Sequence, residues 1–142
     1  ASIEWNLLEF DCHRGMLSLV SDLNRLYRER PALHRFDFSG EGFEWIDCNA
    51  SDASVLSYLR KDGDSYIVVV LNFTPVPHHD YCVGVPASGN YTELLNSDSS
   101  YYDGSDVGNK GQIVSVPESC NGRPHSLRLI LPPLGGVILQ LQ

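Results

Sequence analysis

A small antiparallel β-sandwich preceded by one amphipathic helix is the fold that this sequence predicts. Three observations carry the expectation. Apolar residues recur with a period near 3.6 between Met16 and Tyr27. The period switches to two after Phe38. Short alternating runs, separated by Gly, Pro and Asp turns, then follow one another to the C-terminus, which is the pattern of a mainly β domain.

The helix is expected over roughly residues 13 to 30. Met16, Leu19, Val20, Leu23, Leu26 and Tyr27 form its apolar stripe, with Ser18, Ser21, Asp22, Arg25 and Arg28 on the other side. Arg28 and Arg30 put cations at the negative helix end, and Pro31 stops the helix.

Strands follow at 43–47 and 54–61, and Lys61-Asp62-Gly63-Asp64 supplies an Asp-Gly turn into 66–73. That run is apolar at nearly every position, so it predicts a central strand covered on both faces. Pro75 and Pro77 end it, because proline cannot donate to a ladder. Further strands are expected at 81–85 and 91–96. Leu127, Leu129 and Leu131 alternate with polar residues, Pro132 to Gly136 turn the chain, and Val137, Leu139 and Leu141 alternate again, which predicts a C-terminal hairpin. Phe43, Trp45, Tyr66 and Phe73 sit on strand patterns and are expected in the core.

One segment, 96–112, fits neither period. A loop of this length inside a compact domain is usually functional or ordered by a neighbour. It carries Tyr101 and Tyr102, which would stack on a sugar ring or pack against another domain. Trp5, ahead of the helix, is a third aromatic that no core of this chain explains. These three are the candidate sugar-contact or domain-interface residues.

Composition excludes several functions. The chain has 142 residues with a formal net charge of -8, the wrong sign for a phosphate-rich ligand, so no nucleic-acid partner is expected. The longest apolar run, Ile67 to Leu71, is far too short to cross a bilayer, so no membrane span is expected. Cys12, Cys48, Cys82 and Cys120 lack any CxxC or zinc spacing and read as free thiols. With no secretory leader in view, the compartment reads as cytoplasmic. Sequons begin at Asn49, Asn72 and Asn90, but Asn72 falls within an apolar strand, and all three read as incidental.

Catalytic chemistry is hard to place. Phosphate-binding glycine loops, HExxH and GxSxG are absent from the sequence. His78 and His79 are adjacent on an extended segment and point to opposite faces, so they do not read as a metal pair. Asp98, Asp103 and Asp106 lack the calcium-loop spacing. Glycosidic chemistry needs two carboxyl groups across a scissile bond. Asp47 with Asp52, or Glu41 with Glu44, lie in turn-rich sequence with no apolar pocket and read as solvated charges. No catalytic residue, metal or cofactor is expected.

Six strings in register carry a more specific signal. Leu23-Asn24-Arg25-Leu26-Tyr27 with Pro31-Ala32-Leu33-His34 precedes Gly42-Phe43-Glu44-Trp45-Ile46-Asp47 and Asn72-Phe73-Thr74-Pro75-Val76-Pro77. Leu94-Leu95-Asn96-Ser97-Asp98 leads to Gly104-Ser105-Asp106-Val107-Gly108-Asn109, and Gly122-Arg123-Pro124-His125-Ser126-Leu127 leads to Leu131-Pro132-Pro133-Leu134. In this order the chain, from Trp5 to its last strand, resembles the C-terminal end of the bacterial 1,4-α-glucan (glycogen) branching enzymes of the α-amylase superfamily. Departures are local: Ser97 stands where threonine is usual, and Asp106 and Cys82 vary.

The resemblance implies that the chain is a fragment of an enzyme whose catalytic (β/α)8 barrel precedes an all-β domain. That parent cleaves an α-1,4 glucan linkage and transfers the chain to a 6-hydroxyl, through a covalent glycosyl-enzyme and without a cofactor. Residues 1–38 would be the last loop and helix of the barrel, and 39–142 the all-β sandwich. No position here matches the family's catalytic carboxylates, so the fragment is expected to be inactive and structural, with an auxiliary glucan-binding module as the alternative. Its implied partners are its own barrel and, for the parent, α-1,4 glucan or glycogen. Trp5 would fall in a loop at the catalytic face of the barrel. Without the barrel, the apolar stripe is expected to fold onto the sandwich or to mediate a homodimer peculiar to the fragment.

Overall fold

The computed structural model describes residues 2–49 and 52–142. The sequon at Asn49 runs into 50 and 51, which lie outside the described residues. A 3-10 turn at Trp5–Glu9 leads into α1, Asp11–Glu29. Arg30 is extended, with φ -110° and ψ 100°, as a residue ahead of proline must be, and Pro31 opens a second 3-10 turn, Pro31–Leu33.

Among the described residues eight strands follow: β1 (Phe43–Asp47), β2 (Val55–Asp62), β3 (Ser65–Asn72), β4 (His78–Val85), β5 (Asn90–Asn96), β6 (Gln112–Val114), β7 (His125–Leu131) and β8 (Gly135–Leu141). One sheet has the order β1-β2-β3-β8-β5-β6 and the other is the pair β4-β7. Every pairing is antiparallel. Asp62 opposes Ser65 across a two-residue turn with Gly63 at φ +60°, a conformation that costs glycine little.

The core lies between the sheets. Val55, Leu59, Val68, Val70, Val137 and Leu139 from the large sheet meet Val83, Val85, Leu127, Leu129 and Leu131 from the small one. β3 is covered on both faces, as its unbroken apolar run predicts. Its Val68 and Val70 enter this core, while Ile67 and Val69 pack outward under Ala32 and Leu33. The segment after α1 thus roofs the outer face of the large sheet.

Three expectations are corrected. The last two strands do not pair as a hairpin: β7 pairs with β4, and β8 lies between β3 and β5 in the other sheet. Pro132 and Pro133 supply no amide donors, and the chain uses them to cross between the sheets. Both strands then present their alternate apolar residues to one core from opposite sides. Periodicity is identical in the two arrangements.

Phe43, Trp45 and Phe73 are not core residues; each is exposed. β1 is an edge strand whose register slips between Trp45 and Asp47, so that only Ile46 is buried. Tyr66 does join the core rim, its hydroxyl 2.5 Å from that of the buried Tyr91.

The helix stripe is split. Leu26 is buried and Leu19 half-buried, but Met16, Val20, Leu23 and Tyr27 are exposed. The face turned to the sandwich is instead Gly15, Ser18, Leu19, Asp22 and Leu26. Spacings of three, four and seven residues put these on one side of the helix.

Candidate functional site

The 96–112 loop is held by its own polar side chains. The Asn96 side-chain oxygen accepts from the Asp98 amide at 2.9 Å, and its Nδ2 donates to the Val107 carbonyl at 2.9 Å. The Asp98 carboxylate accepts from the amides of Ser105 and Val107, each at 3.1 Å. Its carbonyl also accepts from the Asp106 amide at 2.7 Å. Gly104 allows this closure, because a Cβ there would lie 2.2 Å from the Asp98 carbonyl oxygen. Asn109 ties the far end to both sheets: it donates to Glu93 of β5 at 2.8 Å and accepts from the Ile130 amide of β7 at 2.8 Å. Asp98 and Asp106 are therefore acceptors for backbone amides, which accounts for the acidic residues without a cation.

On this frame Ser99 caps a single 3-10 turn, Ser100–Tyr102, with its hydroxyl accepting from the Tyr101 amide at 3.2 Å. The turn delivers Tyr102 to α1. Its hydroxyl donates to Asp22 at 2.6 Å, and Asp22 is paired with Arg25 at 3.1 Å. Burial, reinforced by the Asp22 carboxylate, raises the Tyr102 phenol well above the ordinary tyrosine range. Backbones also touch: a Cβ at Gly15 would lie 2.3 Å from the Tyr102 carbonyl oxygen. Helix and loop are joined by a close approach that only glycine permits and by a charge-assisted hydrogen bond beside it.

Tyr101 has a different surrounding. It is 73% exposed and edge-on to Tyr102, with ring centroids 5.3 Å apart. It lines two clefts. One, about 350 Å³, is lined by residues including Asn96, Asp106 and Lys110; the other, about 410 Å³, by residues including Asp11, Arg14 and Asp103. The structure thus brings Tyr101 and Tyr102 together. Trp5, 67% exposed on its 3-10 turn, lines neither cleft.

Two of the four carboxylates weighed for glycosidic chemistry, Glu44 and Asp47, have structural tasks. Glu44 is held below the ordinary carboxylate value by the Lys61 ammonium at 3.0 Å and the Arg123 guanidinium at 2.9 Å. Asp47 accepts from the Asn49 amide at 2.8 Å, an Asx-type turn. Among the described residues, no group of three or more His, Cys, Asp or Glu converges in a way that would hold a metal ion. Asn72 is buried, with its amide donating to the Val76 and Pro132 carbonyls at 2.9 Å each, so its sequon cannot take a glycan in the folded chain.

Of two further surface features, the first escaped the sequence and the second was legible only as an apolar stripe. Phe43, Trp45 and Tyr58 form an aromatic cluster on the outer face, with Phe43 stacked on Tyr58 at 5.1 Å and Trp45 edge-on to Phe43 at 4.9 Å. The signal available was that β1 follows directly on a polar turn and has no second neighbour strand. The other feature is the bare apolar face of α1, with Met16 60% and Val20 46% exposed. Beside it, Leu19 and Leu23 overhang an apolar cleft of about 430 Å³ floored by residues such as Val69 and Leu71 of β3.

The family profile for the alpha amylase C-terminal all-beta domain matches residues 45–142. Over nearly its whole length the chain is similar to the 1,4-alpha-glucan branching enzyme GlgB of Nitrosococcus oceani, 53% identical over 142 residues, covering 99% of this chain and 19% of that protein. A protein of the same name from Cereibacter sphaeroides is 54% identical over 140 residues, covering 98% of this chain and 19% of its own length. The chain thus spans only about 19% of these curated relatives. A crystal structure of a MutB mutant, from crystals soaked with trehalulose, shares the fold with a TM-score of 0.52 and 22% identity, over 99% of this chain and 21% of that one.

Proposed function

The chain belongs to the family of alpha-amylase C-terminal all-beta domains, and from that membership we propose that it is the non-catalytic C-terminal end of a 1,4-α-glucan branching enzyme. The parent would cleave an α-1,4 glucan linkage and transfer the released chain to a 6-hydroxyl. In this reading residues 1–38 are the last loop and helix of its catalytic barrel, and 39–142 are the sandwich that braces it. The parent would act on glycogen in the cytoplasm, where four free thiols are at home.

The observation that carries the reading is the two-sided helix. α1 meets the sandwich through Gly15 and Asp22, which touch Tyr102, and leaves Met16, Val20 and Leu23 exposed. An apolar helix face of that kind belongs against a second apolar surface. The barrel is the partner proposed for it.

The test is branching of amylose, followed by the shift in iodine stain. The chain alone is expected to match a buffer blank, because no position in it matches the catalytic carboxylates of the family it resembles. Turnover well above the blank would overturn the reading.

A second reading is favoured by one observation: Tyr101 is exposed and lines two clefts, with its neighbour Tyr102 committed to the helix. Such a ring suits stacking against a sugar, so the domain would also hold glucan. A nuclear magnetic resonance titration with a linear malto-oligosaccharide is expected to shift amides around 100–103, and Tyr101→Ala to abolish those shifts. Shifts unchanged in Tyr101→Ala, or absent at millimolar sugar in the parent sequence, would dispose of it.

A further inference from the structure

Four cysteines stand far apart in sequence, at 12, 48, 82 and 120, yet the fold brings two of them, Cys82 and Cys120, to one face of the small sheet. In β4, Val83 and Val85 enter the core, so Cys82 and Gly84 point outward from the small sheet. The turn at Cys120 lies on that outward face. A Cβ at Gly84 would fall 2.1 Å from the Cys120 carbonyl oxygen and 3.2 Å from the Asn121 Cβ.

Hydrogen bonds fix this turn. The Gly84 amide donates to the Asn121 side-chain oxygen at 2.8 Å, and Cys120 and Arg123 exchange backbone hydrogen bonds at 3.0 and 2.9 Å. Arg128, which opposes Cys82 in the β4–β7 ladder, pairs with Glu118 at 2.6 Å and holds the chain just before the turn. The Cys120 thiol donates to the Asn121 side-chain oxygen at 3.3 Å, the same oxygen that the Gly84 amide reaches, so it lies over the face from which Cys82 projects; both cysteines are half-buried. Burial, with the Cys82 sulfur next to it, pushes the Cys120 thiol up to about 11.

We propose that Cys82 and Cys120 are a redox modification site, forming a reversible disulfide that staples β4 to the turn before β7. The oxidant is a hydroperoxide, in its simplest form hydrogen peroxide. Because burial holds Cys120 as a thiol, the Cys82 sulfur, as thiolate, attacks a peroxide oxygen; the O–O bond breaks, a sulfenic acid forms, and the departing hydroxide takes up a proton as water. The second sulfur then attacks the sulfenic sulfur; the S–S bond forms, the S–O bond breaks, and the hydroxyl leaves with the second thiol's proton as another water. Two thiols lose two electrons and one peroxide gains them. A dithiol reductant reverses the step by exchange. The inference does not depend on the proposed parent enzyme.

The test uses the chain with the exposed Cys12→Ser and Cys48→Ser, treated with hydrogen peroxide and analysed by intact mass and tryptic mapping. The expected result is a loss of about 2 Da and a thermal midpoint raised by about 5 °C, both reversed by dithiothreitol. Trypsin should then release peptide 62–110 joined to peptide 111–128. Adding Cys82→Ser should abolish both the mass loss and the joined peptides. Two thiols that remain open to iodoacetamide, or that each gain oxygen without joining, would overturn the proposal.

Discussion

Tyr102 is the residue on which the helix–sandwich junction turns. Its hydroxyl reaches Asp22, and its backbone rests on Gly15. Tyr102→Phe keeps the ring and removes the hydrogen bond to a charged acceptor, at an expected cost of about 1 to 2 kcal/mol. The loss should be local, so hydrogen exchange should show faster amides in α1 with β3 and β8 unchanged. Glu44 makes a different residue-level prediction. Lys61, and then Arg123, hold its carboxyl below the ordinary value of 4.5. The folded state therefore binds the proton less readily than the unfolded one. Its contribution is full above that ordinary value and is lost as pH falls through the folded value. The side chain is half exposed, so the contribution should be under about 1 kcal/mol. Denaturant titrations of Glu44→Gln should show a shallower loss of stability below pH 4.5 than the parent sequence.

At the scale of elements, the sandwich depends on β8, the strand placed between β3 and β5. Leu139 is fully buried in it, and Leu139→Ala should cost about 2 to 5 kcal/mol by urea unfolding, the range for a cavity left in a close-packed core. How β8 came to lie there was not readable from sequence. The alternation of Leu127 to Leu131 and of Val137 to Leu141 located both strands, because burial on one face writes a period of two. It could not say whether Pro132 and Pro133 fold the chain back within one sheet or carry it across to the other. β3 was legible in full, since a strand buried on both faces has no polar positions to spare. The three-residue β6 left too little pattern to find. For α1 the span was legible but the docking face was not: the apolar stripe was expected to fold onto the sandwich or to mediate a homodimer, whereas it is the side carrying Gly15 and Asp22 that meets the sandwich. Close backbone approach selects for small residues, which hydrophobic periodicity does not register. In the loop, Tyr101 and Tyr102 were found because aromatics are out of place in a polar segment. Their separate surroundings depend on turn geometry set by Asp98 and Asn96, and on a helix eighty residues away in sequence from Tyr102.

For the whole molecule, the proportions match a supporting role. The sandwich has a complete core between its sheets, and its outer face is roofed by Ala32 and Leu33. The conspicuous unfilled apolar surface is on α1 and beside it, where Leu19 and Leu23 overhang the cleft above β3. Asp37, Glu44 and Asp98 are engaged in ion pairs and turns. A domain so built can transmit rigidity to whatever covers the helix, and among the described residues no helix is long and apolar enough for that cover to be a membrane.

The central claim is that α1 serves two bodies at once, and Val20→Asp tests it most directly. Its thermal midpoint is to be measured in two settings: this chain alone, and a full-length branching enzyme carrying this chain as its C-terminal end. In the chain Val20 is exposed, so the midpoint should move by no more than about 2 °C. In the full-length enzyme the same charge would be buried without a partner, and the midpoint should fall by about 5 °C or more. An unchanged midpoint in the full-length enzyme, or an equal fall in the chain alone, would contradict the claim.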